Sequence, residues 1–189
     1  MLFGILSTIT MHHYLFSTTE TRYIVMYKGK LIMTSDRLFP WQQQTVILHS
    51  QRLLHSYQHW TGCSLLQLCG SPIELAQALF EAPFVLVSHD TQPDPIFNYG
   101  NLKALELWQL DWEEFTQMPS RKTAEQVVQS ERDRLLAETV AKGFSYFSGI
   151  RITSTGQRFG IEDGILWNVL DQQRWCGQAA VYSKCKFIT

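Results

Sequence analysis

The chain has 189 residues, enough for one domain of ordinary size with some extra elements and short for two. Hydrophobic residues make up 45% and charged residues 17%, a balance that supports a substantial core and excludes global disorder. The formal net charge is −1 and no stripe dense in Lys and Arg is present, so the sequence offers no electrostatic footprint for a nucleic-acid partner.

Residues 1–33 are unlike the rest. "MLFGILSTITM" is apolar, yet no positive charge precedes it, no small-residue cleavage site follows it, and it is too short to span a membrane. This stretch reads as a poorly structured extension or as a start assigned too early, with Met33 as the alternative start. A membrane-surface anchor is the lesser reading, and no membrane partner is expected. The four cysteines, Cys63, Cys69, Cys176 and Cys185, form no Cys-x-x-Cys pair. They read as reduced thiols of a cytoplasmic protein, without disulfides and without a metal site.

Residues 43–60 predict an amphipathic helix. Val46, Ile47, Leu53, Leu54, Tyr57 and Trp60 share one face at the helical period, and Gly62 stops it. His55 and His59 have metal-site spacing but lie opposite that face, so they read as surface residues. In 71–81, Ser71, Pro72 and Glu74 make a capping box with proline at the first helical position. "FVLVSHD" (84–90) predicts a buried strand, and the prolines of "TQPDP" a loop. "IFNYGNLKALELW" changes from strand alternation to helical rhythm at Gly100-Asn101. Gly100 is expected to supply a positive φ there, and Asn101 to cap the following helix near 102–110. Asp111 and Glu114 predict a short helix, and Ser130 to Gly143 bound a longer one. The rest is β. Thr155-Gly156 joins a hairpin in which Ile150, Ile152, Phe159 and Ile161 alternate with polar residues, and Gly164 suggests a bulge or a close approach. A last strand covers 174–183.

Two strands, then helices, then a three-strand meander fit an α+β fold, one antiparallel sheet with helices on a face. The domains expected are an N-terminal helical segment, 40–82, and the sheet-bearing domain, 83–184. No catalytic residue stands out. Ser88-His89-Asp90 has the letters of a triad, but neighbours on a strand point to opposite faces and cannot relay a proton. His89 with Asp94 is the single acid/base pair worth testing. Asn98 and Asn101 either brace the turn or contact a ligand. His89 either titrates at a pocket mouth or pins the proline-rich loop. Arg121 either clamps a ligand carboxylate or phosphate, or pairs with a carboxylate of its own chain. Trp108 and Trp167 are core residues or a ligand platform.

The segment Phe84–Tyr182 resembles a PAS domain. More narrowly, "APFVLVSHDTQPDPIFNYGNLKALELW", "PSRKTAE", "SGIRITSTGQRFGIE", "LWNVLD" and "CGQAA" resemble the MEKHLA domain family. "HSQRLLHSYQHWTGCSLL" is similar to the N-terminal part of its stand-alone bacterial members. The family is PAS-like and also occurs at the C-terminus of plant class III homeodomain–leucine zipper proteins. "EDG" at 162–164 and the tail "YSKCKFIT" match the family less well. The resemblance implies a PAS-like antiparallel five-stranded sheet with helices on one face, preceded by N-terminal helices. It implies a sensory or signalling module, and the alternative is a protein-interaction or dimerisation module that binds no small molecule. The sequence shows no kinase, cyclase or DNA-binding segment and no convergent acid/base pair, so output in trans and no enzyme are expected. The resemblance names no cofactor. None of the four cysteines sits in the run that flavin-adduct PAS domains use, and helix 130–143 has no histidine of the kind that haem-binding types use. The ligand contacts expected are His89, Asn98, Asn101, Trp108, Arg121 and Trp167. A protein partner or homodimer would meet helix 43–60.

Overall fold

The computed structural model describes residues 11–12, 23–27, 30–34, 38–124 and 129–188. Three short strands, β1 (Met11–His12), β2 (Tyr23–Tyr27) and β3 (Lys30–Thr34), form a small antiparallel sheet where the sequence suggested no regular structure. Most of the expectation for 1–33, including the apolar "MLFGILSTIT", lies outside the described residues.

The main body opens with α1 (Gln44–Thr61), which ends at Gly62, and α2 (Pro72–Phe80). The Glu74 carboxylate accepts from both the amide and the hydroxyl of Ser71, each at 2.7 Å, as the capping box requires. Then follow β4 (Val85–His89), β5 (Phe97–Gly100), α3 (Leu102–Trp108), α4 (Trp112–Thr116), α5 (Gln129–Lys142), β6 (Phe144–Ile152), β7 (Arg158–Asp171) and β8 (Arg174–Tyr182). The five strands pair antiparallel in the order β5-β4-β8-β7-β6. A further strand, β9 (Lys184–Phe187), is absent from the sequence reading. It continues past Ser183 beside β7, pairing Phe159 with Phe187.

Helix α4 packs at the β5 edge of this sheet, where Trp112 meets Tyr99. Helices α3 and α5 lie on one face and α1 lies across the other. Strand alternation divides β4 between them: Val87 and His89 face a cavity under α5, whereas Ser88 faces α1. Four residues of α1 hydrogen-bond to the sheet. His49 meets Ser88, Arg52 meets Asp171, Ser56 accepts from the Leu170 amide, and Trp60 donates to the Asn168 carbonyl. Its apolar stripe, with Leu53 fully buried, packs on the sheet, and Tyr57 meets the Trp167 ring edge-on at 5.1 Å.

Two glycines make close approaches. Gly100 does not adopt a positive φ, contrary to expectation. A Cβ there would lie 2.6 Å from the Phe115 ring, so the glycine is needed for space rather than for torsion. A Cβ on Gly164 would lie 2.5 Å from the Phe147 ring, and the expected bulge stands beside it at Asp163, whose φ is 54°.

Candidate functional site

The site is a cavity of about 60 Å³ between the sheet and helices α3 and α5. Strand β4 contributes Val87 and His89, β5 contributes Phe97, and α3 contributes Trp108. Helix α5 contributes Arg132, Leu135 and Leu136, the meander Phe147, Arg151 and Tyr182. Arg132, Leu135, Leu136 and Thr139 fall at i, i+3, i+4 and i+7, so the inward stripe of α5 begins with an arginine.

Sheet residues hold α5 over the cavity. Asn168 Nδ2 donates to the carbonyls of Thr139 and Val140, at 2.9 and 3.2 Å. Gln178 Nε2 donates to the Leu136 carbonyl at 3.0 Å and to Asn168 Oδ1 at 3.1 Å. At the other end, Arg132 Nη2 donates to Ser120 Oγ at 2.6 Å. Trp108 is locked by its indole N–H on the Ile152 carbonyl at 2.9 Å and by edge contact with Phe159.

His89 is 7% exposed. Its Nδ1–H donates to the Asp90 carbonyl at 2.8 Å, which leaves Nε2 as a buried acceptor with no protein partner. Burial holds its pKa below the usual imidazole range, helped by the Arg132 charge and opposed by the bond to Asp90. The Tyr182 hydroxyl is likewise buried without a partner, and burial pushes its pKa well up.

Of the six residues expected at a ligand, the structure brings His89 and Trp108 together at the cavity. Asn98 lies on the other face, where its Oδ1 accepts from the Ser88 hydroxyl at 2.6 Å. Asn101 caps α3 and is fully buried. Arg121 forms a surface ion pair with Asp94 at 2.9 Å. Trp167 packs under α1. Arg132, Arg151, Phe147 and Tyr182 were not singled out from sequence. The inward period of α5 could have disclosed Arg132, but nothing in the sequence discloses that Arg151 faces inward.

No acid/base pair forms from His89 and Asp94, since Asp94 binds Arg121 and His89 binds the Asp90 carbonyl. The His49–Ser88 contact at 2.8 Å resembles a dyad in its letters alone. Ser88 donates its only proton to Asn98, so His49 Nε2 must carry a hydrogen and donate to Ser88, the reverse of a general base. Among the described residues, no group of three His, Cys, Asp or Glu could hold a metal, and no helix is long and apolar enough to cross a membrane.

Residues 47–187 match the MEKHLA domain. The chain belongs to the MEKHLA domain family. The match runs through "EDG" and nearly to the end of the tail, the two stretches that resembled the family least. No curated protein matches the sequence. Among solved structures, the MEKHLA chain is similar to a PAS domain of a Colwellia psychrerythraea protein, with 13% identity and a TM-score of 0.53, over 61% of this chain and 95% of that one. The photo-excited blue-light photoreceptor Vivid gives 11% identity and 0.49, over 76% and 97%. The dark structure of the Aureochrome1 LOV photoreceptor gives 16% and 0.45, over 65% and 88%. The first shows that the MEKHLA domain has the PAS-like fold, and identities this low show the fold alone.

PAS-like folds raise the question of a flavin or a haem. The cavity is several-fold smaller than the roughly 300 Å³ at which cofactor-sized sites begin. None of the four cysteines lines it, and α5 carries no histidine. The residues present do not fit a flavin adduct or a helix-ligated haem.

Proposed function

We propose that this MEKHLA domain is a non-catalytic sensory module. It binds a small molecule between the sheet and helices α3 and α5, and a protein partner reads the occupied state in trans. The observation that carries this reading is the pair of buried polar atoms, His89 Nε2 and Tyr182 Oη, that border the cavity without partners. Buried polar groups are nearly always satisfied, and a ligand is the economical source of the missing bonds. Native mass spectrometry of the purified chain, with an absorption spectrum alongside, tests it. A retained small mass supports the sensory reading.

The small cavity volume also favours a second reading, a dimerisation or interaction module without a ligand. The apolar stripe of α1 is occupied by the sheet, so a partner would meet its outward face, where Leu48, His55 and His59 are exposed. A ligand-free dimer in the same spectrum, with no protection by any small molecule in a thermal-shift screen, would favour this reading instead.

A further inference from the structure

Two guanidinium groups border the same cavity, and no carboxylate lines it. Arg132 is 8% exposed. Its Nη1 pairs with Asp133, whose side chain is 68% exposed and therefore offers a screened counter-charge. Arg151 is less compensated. Its Nη1 donates to the Ile150 carbonyl at 2.8 Å, and its guanidinium carbon stands 6.0 Å from the Phe147 ring centre. Among the described residues, no carboxylate lies within ion-pair distance of it. Glu131 and Asp94 act on these arginines only through space. Burial and then the Arg132 charge draw the Arg151 pKa below the usual guanidinium range. Withdrawing a cation from water is costly, and here two of them, one screened by Asp133 and one partly buried with no ion-pair partner, border one small space.

We infer that the cavity binds a small organic carboxylate, gripped by Arg132 and Arg151, with its carbon end against Val87, Phe97, Trp108 and Leu166. The inference rests on the sensory reading and adds the ligand class. Guanidinium forks match the planar geometry of a carboxylate. The apolar wall opposite suits a short carbon chain and would be left facing oxygen by phosphate or sulfate. A volume of about 60 Å³ holds a few waters, at roughly 10–15 Å³ for each, and suits an acid of two or three carbons. His89 Nε2 is an acceptor, so an acid that also carries a hydroxyl satisfies more of the wall than acetate does.

The test is a titration of the full chain with glycolate, acetate, acetamide and phosphate at constant ionic strength. It is followed by tryptophan fluorescence, which Trp108 reports, and by the thermal midpoint. Glycolate is expected to saturate the signal at lower concentration than acetate, with acetamide and phosphate inert. Arg151→Gln should weaken glycolate at least tenfold, and Arg121→Gln, at a surface ion pair, should leave it unchanged. The ligand-free R151Q protein should melt no lower than the parent, because the substitution removes a partly buried charge that has no ion-pair partner; this separates lost binding from lost folding.

Acetamide as effective as acetate would overturn the carboxylate class while leaving the sensory reading standing. Phosphate as effective as glycolate would overturn it in favour of a general oxyanion site. No response to any of the four, or an unchanged response in R151Q, would overturn it outright. The sensory reading would then be judged by the native mass spectrum alone.

Discussion

Asn101 commits every polar atom of its side chain to the junction it occupies. Its Oδ1 accepts from the amides of Ala104 and Leu86, at 3.1 and 3.0 Å, and its Nδ2 donates to the Phe84 carbonyl at 2.7 Å. One side chain thus caps α3 and closes the start of β4. Asn101→Ala should cost about 2–3 kcal/mol in denaturant melts, because it strands buried backbone groups as well as removing a cap. The cap was legible from strand followed by helix. The bonds to β4 were not, since they join residues far apart in sequence. His49 was passed over because nothing near it in the chain marks it. Burial, with Arg52 second, lowers its pKa from 6.5 to about 4. The folded protein therefore keeps this ring neutral where the unfolded chain would protonate it. Its contribution is whole above pH 6.5 and is lost as pH falls toward 4. The loss is at most about 3 kcal/mol. His49→Gln keeps a donor to Ser88 and should flatten stability between those pH values in urea melts.

The elements were legible wherever a local signal fixed them. The capping box at Ser71 and the apolar period of α1 placed their helices within a residue or two. Leu53 lies at the centre of the α1 stripe and is fully buried. Leu53→Ala should destabilise the chain by about 3 kcal/mol in denaturant melts, through lost transfer energy and a cavity beneath the helix. Strand β6 shows what alternation leaves out. Ile150 and Ile152 mark a strand, yet the position between them, Arg151, turns to the cavity, and Ile150 and Ile152 are only half-buried. Period establishes that two faces exist, and packing decides which one is the inside. Strand β9 was missed because its four residues, Lys184–Phe187, alternate charge with Cys and Phe and depend on β7 for their pairing.

At the scale of the whole molecule, the order of elements and the family motifs were enough to give the PAS-like fold. The cavity was not legible, since its lining comes from β4, β5, α3, α5 and the meander at once. Ala180 is part of that lining. Ala180→Val should fill much of the space, change stability by less than about 1 kcal/mol because a void is available, and abolish the fluorescence response to glycolate. The break at Ser183 and the bulge at Asp163 have a mechanical consequence. Inside the break, β7 lies between β6 and β8; beyond it, β7 lies between β6 and β9. The single sheet of the topology is therefore a body and a three-stranded blade that share two strands. Arg151 rides on the blade, pairing opposite Phe159, while Arg132 belongs to a helix tied to the body by Asn168 and Gln178. An anion held by both arginines would therefore tie the blade to that helix.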